Sequence, residues 1–90
     1  MKRVHITVYG RVQGVGFRNY TQQMATRYHI CGWVRNRPNG TVEIDAQGDR
    51  SLLKSFLAAI HRGSPFSQVS KVEQEEQREL LSYRSFRIKY

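Results

Sequence analysis

The chain has 90 residues, the length of one small domain with a single core. Its 15 Lys and Arg residues against 7 Asp and Glu give a formal net charge of +8, which favours association with anions of any kind. No apolar run reaches the ~18 residues of a membrane span, and the single cysteine, Cys31, excludes an internal disulfide. These features predict one cytoplasmic domain over residues 1–90, with no membrane contact.

Periodicity divides the first half of the chain into strands and a helix. Residues 3–9 alternate apolar and polar side chains, as in a half-buried strand, and helical spacing begins at Phe17. A second strand is expected over residues 31–37. The sequence Pro38-Asn39-Gly40 then predicts a hairpin with a two-residue turn of positive φ, and residues 41–46 alternate as a third strand.

The second half of the chain repeats this order. Asp49 is a candidate cap for a second helix, which Gly63 and Pro65 would end. A weaker strand is expected over residues 69–74 and an edge strand over residues 86–90. The order β-α-β-β-α-β, with the last strand region possible as two strands, predicts an α+β ferredoxin-like sandwich: an antiparallel sheet with both helices on one face.

The segment Gly10–Arg18, GRVQGVGFR, joins the first strand to the first helix. A glycine-rich turn at this point exposes backbone N–H groups, and the helix dipole adds partial positive charge. The planar guanidinium of Arg18 in the first helical turn matches phosphate oxygens. The segment therefore predicts a site for a small phosphorylated anion.

Two known phosphate-binding motifs do not fit this segment. A P-loop requires a second glycine where Val15 stands and a following Lys-Ser/Thr pair, whereas the dinucleotide fingerprint requires a third glycine where Asn19 stands. Taken alone, Gly14 and Gly16 are explained by a tight turn with positive φ, and Arg18 by a solvated helix position.

Three stretches together resemble the acylphosphatase family. They are the turn GRVQGVGFR, the strand Gly32-Trp33-Val34-Arg35-Asn36 and the sequence Asn39-Gly40-Thr41-Val42. The ending Phe86–Tyr90 is similar to the family's closing strand. The resemblance covers the whole chain, with the motifs in the family's order and spacing.

The resemblance implies a small, free-standing, cofactor-free hydrolase that cleaves acyl phosphates to carboxylate and inorganic phosphate. In the family, the turn and one arginine hold the phosphate, and an asparagine orients the attacking water. The phosphate-binding residues carried over to this chain are Arg11, Val12, Gln13, Gly14, Val15, Gly16 and Arg18. The catalytic residues carried over are Arg18 and Asn36. The expected partners are the acyl phosphate and phosphate alone, without nucleic acid, and the expected state is a monomer.

The chemistry of the residues agrees with that activity. The carboxylate released from an acyl phosphate is a good leaving group near neutral pH, so no general acid is required. Phosphoryl transfer asks mainly for positioning and charge stabilisation, which N–H groups, one arginine and one amide can supply. The three histidines, His5, His29 and His61, form no H-x-x-x-H pair, so no metal site is expected.

Several residues also have simpler interpretations or depart from the family. Asn36 is by itself explained as a residue approaching a turn, and Trp33 as a core residue. Arg35 and Arg37 are expected to be solvated, and Arg37 replaces the family's more usual threonine or aliphatic residue. His29 stands where the first helix commonly ends in glycine, which predicts a left-handed residue there.

Two other functions remain open at this point. Ferredoxin-like domains include RNA-binding modules, but the third strand lacks their aromatic motif and carries the acids Glu43 and Asp45. A non-catalytic anion sensor could use the same turn, and activity measurements distinguish it from a hydrolase.

Overall fold

The computed structural model describes all 90 residues as five strands and two helices. The elements are β1 (Lys2–Arg11), α1 (Phe17–Arg27), β2 (Cys31–Asn36), β3 (Val42–Gly48), α2 (Arg50–Arg62), β4 (Gln68–Gln77) and β5 (Phe86–Lys89). The predicted βαββαβ order is confirmed, with the last strand region divided into β4 and β5. Neither helix has the length and apolar character needed to cross a bilayer.

The five strands form one sheet in the order β4-β1-β3-β2-β5. The first four pair antiparallel, as expected, but β5 pairs parallel with β2, so the sheet is mixed. The chain between β4 and β5 does not form a hairpin. It crosses the sheet from one edge to the other, and it arrives beside β2 running in the same direction.

The core lies between the sheet and the two helices. In β1 the even-numbered residues Val4, Ile6 and Val8 are buried, and α2 contributes Leu53, Phe56 and Ile60. Fully burying a side chain of this size contributes about 1.5–3 kcal/mol. The hydroxyl of Tyr20 in α1 donates to the carbonyl of Ala59 in α2 at 2.8 Å, which ties the helices together on one face.

The ends of the helices agree with the sequence predictions. The carboxylate of Asp49 accepts hydrogen bonds from the N–H groups of Ser51 and Leu52, and Gly63 follows α2 with φ 80°. After α1, His29 adopts φ 57°, the left-handed conformation expected from the family's glycine. His29 is the chain's one non-glycine residue with positive φ.

The predicted two-residue hairpin turn is wrong. The connection between β2 and β3 is longer, and the N–H of Gly40 donates to the carbonyl of Arg37 at 3.1 Å. Pro38 fixes φ near −65°, which suits the second position of a type I turn. The Asn39 side chain then accepts from the N–H of Thr41 at 3.1 Å, so Asn39 needs no positive φ.

The pairing of β1 with β4 contains a bulge that explains the irregular alternation of β4. Tyr9 pairs with Lys71, but Gly10 pairs with Val69, so Ser70 is skipped. A Cβ on Gly10 would lie 2.2 Å from the carbonyl oxygen of Gln68, which explains the requirement for glycine there.

The face of the sheet opposite the helices is polar, and Trp33 lies on it rather than in the core. The β3 side chains Glu43, Asp45 and Gln47 are nonetheless buried, because neighbouring strands and the crossing segment 78–85 cover them. Gln47 exchanges two hydrogen bonds of 2.8 Å with the main chain of Leu81. The sequence interpretation of Trp33 as a core residue is therefore wrong: its ring packs against cations on this face.

Candidate active site

The turn between β1 and α1 contains two positive φ angles, which its glycines adopt readily. Gly14 has φ 72° and Gly16 has φ 75°. A Cβ at either position would meet no atom within 4 Å, so dihedral angle and not space is the reason for glycine at both. The turn bends the chain from the end of a strand directly into the first turn of α1.

The N-terminus of α1 has no cap from the protein. Gly16 occupies the cap position and has no side chain, and no acidic residue lies in the first turn. The first N–H groups of a helix have no partner within the helix. Together with the helix dipole, these donors favour an anion at this point.

A cavity of about 90 Å³ lies at this helix N-terminus. Its lining includes Val12, Gly14, Gly16, Arg18 and Asn36 from the predicted site, together with Phe17, Asn19 and Tyr90. The volume suffices for several water molecules or one tetrahedral oxyanion. Fold and cavity thus bring the two predicted catalytic residues, which are 18 positions apart in sequence, into one small pocket.

Arg18 is held by the end of β5. Its Nη1 donates to the carbonyl oxygen of Lys89 at 3.4 Å, and its guanidinium carbon lies 4.5 Å from the centre of the Tyr90 ring. No carboxylate pairs with Arg18. The guanidinium therefore has donors left for an anion in the pocket.

Asn36 is the last residue of β2 and pairs with Val42 of β3. Its Oδ1 is buried and accepts no hydrogen bond from the protein. Buried polar side-chain atoms are nearly always satisfied, and exceptions concentrate at sites that bind water or a ligand. The wall of the pocket therefore contains an amide oxygen that is free to accept a hydrogen bond from a bound group.

The remaining predicted residues lie in the turn but do not line the cavity. They are Arg11, Gln13 and Val15. The Gln13 side chain instead donates to the carbonyls of Arg37 and Thr41, at 2.8 and 2.9 Å, so it fastens the turn to the β2–β3 hairpin. This contact joins the turn that precedes α1 to the hairpin that follows Asn36, and no local sequence pattern predicts it.

Tyr90 and Asn19 are pocket residues that sequence reasoning did not assign to the site. No local pattern could have found Tyr90, because it reaches the pocket only through the parallel pairing of β5 with β2. In the sequence, Asn19 stands out only because it interrupts a dinucleotide-binding motif. Its position next to Arg18, in the first turn of a helix that glycine precedes, is the sequence feature that could have placed it in the pocket.

The charges near the pocket are partly neutralised by Glu43. Arg35 Nε lies 2.6 Å from Glu43 Oε1 and Arg37 Nη1 3.4 Å from the same oxygen, while His5 Nε2 lies 2.6 Å from Oε2. Burial opposes ionisation of Glu43, but the hydrogen bonds from His5 and Arg35 outweigh it and lower its pKa. Arg35 and Arg37 remain partly exposed, as expected, but both also pair with Glu43. Arg18 is left as the unpaired guanidinium at the pocket.

No three His, Cys, Asp or Glu side chains are grouped so that they could hold a metal ion. The donors at the pocket are main-chain N–H groups, one guanidinium and the side-chain amides of Asn19 and Asn36. Such a donor set suits an oxyanion. Fold and site together define a small α+β domain whose first helix has an N-terminus suited to an anion.

Comparison with known proteins gives the family. The sequence profile described as Acylphosphatase matches residues 4–88. An acylphosphatase from Bacillus licheniformis is 52% identical over 90 residues, which are 100% of both chains. The crystal structure of acylphosphatase from Bacillus subtilis superposes with a TM-score of 0.97 at 46% identity, covering 100% of both chains. An acylphosphatase structure from Coxiella burnetii has a TM-score of 0.93 at 35% identity, covering 98% of this chain and 92% of that one.

This chain belongs to the acylphosphatase family. The resemblance inferred from its motifs is confirmed, and so is the ferredoxin-like fold. The chain is a hydrolase that cleaves acyl phosphates to carboxylate and inorganic phosphate.

Proposed function

We propose that hydrolysis takes place in the pocket at the N-terminus of α1, with Arg18 and Asn36 as its catalytic residues. The observation that carries the proposal is the meeting of three features in one cavity: an uncapped helix N-terminus, an arginine without a carboxylate partner and a buried amide oxygen without a hydrogen bond. None of the three has a structural function that accounts for it.

Each group has one task in the proposed reaction. Main-chain N–H groups of the turn, from Arg11 to Gly16, and the Arg18 guanidinium hold the phosphate and offset its growing negative charge. The Asn36 amide orients a water molecule toward the phosphorus atom. The water oxygen forms a bond to phosphorus while the bond from phosphorus to the acyl oxygen breaks, and the carboxylate leaves with the electron pair.

The water proton goes to an oxygen of the phosphate. An amide cannot remove a proton at neutral pH, so Asn36 positions the water without acting as a base. The carboxylate leaves without protonation. The reaction therefore needs no metal or other cofactor, and we include metal independence in the proposal.

The test is hydrolysis of benzoyl phosphate in the presence of a chelator. Arg18→Ala is expected to lower kcat/KM by about 10³-fold, the size of effect that removal of a charged transition-state donor produces. Arg50→Ala is the matched control, since Arg50 occupies the first turn of the other helix. Full activity of Arg18→Ala, or loss of activity on chelation alone, would refute the assignment.

Asn36 has its own pair of variants. Asn36→Ala is expected to lower kcat by about 10²-fold with little change in phosphate affinity, because water positioning is needed only for the reaction. Asn36→Asp keeps the shape but removes the amide donor and adds a charge next to the phosphate. Retention of full activity by Asn36→Asp would rule out a role for the amide.

A non-catalytic anion sensor, which the sequence alone leaves open, is the function that a failed activity test would indicate for this pocket. It predicts that inorganic phosphate binds and that benzoyl phosphate is not turned over. The family assignment favours the enzyme.

We propose further that the enzyme is a cytoplasmic monomer that does not act on nucleic acid. The single cysteine, Cys31, supports a reducing compartment. The acids of β3, Glu43 and Asp45, weaken the case for an RNA-binding sheet face. Sedimentation of the purified protein over a range of concentrations tests the monomer.

A further inference from the structure

A second cavity, far larger than the first, lies on the polar face of the sheet beside β5. It has a volume of about 450 Å³. Two aromatic side chains, Trp33 and Tyr83, and three cations, Arg84, Arg87 and Lys89, line it. These five residues are called the basic groove below, and none of them has a role in the proposed hydrolysis through its side chain.

The cations of the basic groove have no carboxylate partners within the protein. Arg84, Arg87 and Lys89 take part in none of the ion pairs of the chain. All three residues are exposed. In contrast, the cations of the neighbouring strands, Arg3 and Arg35, pair with the buried acids Asp45 and Glu43.

Four of the five exposed acids of the chain lie toward the opposite edge of the sheet, and the fifth, Asp49, caps α2. Glu73, Glu75 and Glu76 belong to β4, and Glu79 follows two residues later. Because β4 and β5 are the two edge strands, the molecule has an acidic edge and a basic edge. No carboxylate of the chain lines the basic groove, so the groove presents uncompensated positive charge.

We propose that the basic groove is a docking site for an acidic segment of a partner polypeptide. Carboxylates of the segment pair with Arg84, Arg87 and Lys89, and one apolar side chain lies between Trp33 and Tyr83. An acidic segment with one apolar side chain can contact both the cations of the groove, through its carboxylates, and the aromatic rings, through that side chain.

Two observations favour side-chain recognition of a peptide over other modes of binding. The outer edge of β5 is already partly occupied, since the Gln22 side chain donates to the outward-facing carbonyl of Phe86 at 3.2 Å. Addition of a further strand would therefore displace this contact. The Trp33 ring is also in contact with Lys89 Nζ at 4.3 Å and the Arg35 guanidinium at 5.3 Å, so stacking of a nucleobase would have to displace a cation.

The sole tryptophan of the chain is Trp33, so its fluorescence reports directly on the basic groove. The probe is a short peptide of glutamates around one phenylalanine, titrated at low ionic strength with saturating inorganic phosphate present. We expect a saturable change in Trp33 fluorescence that added salt reverses. Phosphate keeps the pocket at α1 filled, so the signal does not come from peptide bound there.

Two double variants remove the same amount of positive charge, one in the basic groove and one, as a control, on α2. Arg84→Ser with Arg87→Ser is expected to weaken peptide binding by about tenfold, whereas Arg50→Ser with Arg62→Ser on α2 is expected to leave it unchanged. Lys89 is left in place because its carbonyl contacts Arg18. Both double variants should hydrolyse benzoyl phosphate at the wild-type rate, which shows that they fold.

Four results would overturn the proposal. The first is no fluorescence change with peptide, and the second is equal weakening by both double variants, which would mean general attraction to a basic protein. The third is a signal with single-stranded DNA but not with the peptide, and the fourth is self-association that Arg84→Ser with Arg87→Ser abolishes. These outcomes would assign the groove to nucleic acid or to the acidic edge of a second copy.

Discussion

The two helices of this protein begin in opposite ways, although both follow a strand and both carry an arginine in the first turn. At α2 the carboxylate of Asp49 accepts from the N–H groups of Ser51 and Leu52, at 3.1 and 3.3 Å. At α1 the cap position holds Gly16, and no side chain satisfies the first N–H groups. One helix supplies its own anion, and the other leaves the position to a ligand.

The arginines differ in the same sense. Arg50 makes no ion pair or cation–π contact, so nothing in the fold fixes its position. Arg18 is held between the carbonyl of Lys89 and the ring of Tyr90. The N-terminus of α1 therefore combines a missing cap with a cation that tertiary contacts fix beside it, and the proposed active site depends on both features.

Among changes to the caps of the two helices, the largest effect is expected from giving α1 a carboxylate of its own. Gly16→Asp places a negative charge at the mouth of the pocket, and repulsion of the phosphate should lower kcat/KM by about 100-fold. Gly16→Asn is the control, because asparagine has the same shape without the charge and also tolerates positive φ. Equal activity of the two variants would show that the charge at this N-terminus does not matter.

A smaller effect is expected from the ring that holds Arg18. Tyr90 is 95% exposed, so Tyr90→Leu should leave the Tm unchanged. It removes a cation–π contact of about 0.5–1 kcal/mol, and KM should rise about threefold as Arg18 becomes less ordered. Tyr9→Leu is the control, because it removes the contact of Tyr9 with Lys71 and neither residue lines the pocket. It should leave KM unchanged.

Removal of the cap of α2 should lower the stability of the protein without changing its activity. Asp49→Ala removes the cap of α2 and should lower the Tm by a few degrees. The activity of the folded variant toward benzoyl phosphate should equal that of wild type, because α2 lines no part of the pocket. A fall in kcat at a temperature where the variant is fully folded would contradict the separation of the two helices.

The smallest effect is a difference in acid stability. Hydrogen bonds from Ser51 and Leu52 lower the pKa of Asp49 from its ordinary value of 3.8. A carboxylate with a depressed pKa stabilises the fold above its unfolded pKa, and this contribution is lost as pH falls through the folded value. Asp49→Ser keeps a cap that does not titrate. Denaturant titrations below pH 4 should therefore show a shallower loss of stability for Asp49→Ser than for wild type.

The stability of the fold should also depend on pH in the alkaline range, because of a tyrosine that lies outside both helices. Burial and the hydrogen bond to Asp45 raise the pKa of Tyr83 to about 12. The fold should therefore lose stability between pH 10 and about 12, as the unfolded chain ionises first. Tyr83→Phe should remove this dependence, which unfolding measured across that range would detect.

The sequence by itself determined the elements and the reactive turn. The bounds of α1 and α2 followed from helical spacing and from Asp49 and Gly63, because these signals act within a few residues of one another. The turn Gly10–Arg18 was identifiable for the same reason: its glycines, its N–H groups and Arg18 are neighbours in the chain.

Only the tertiary structure decided how distant parts meet. The parallel pairing of β5, and with it the contact of Tyr90 with Arg18, depends on a chain segment that crosses the whole sheet. The burial of Glu43 and Asp45, the acidic residues of the alternating strand β3, depends on cations from β1 and β2. The alternation of apolar and polar residues shows on which face of the sheet a side chain lies. Whether a polar side chain on that face is buried depends on charged partners from neighbouring strands, and no local sequence pattern specifies those partners.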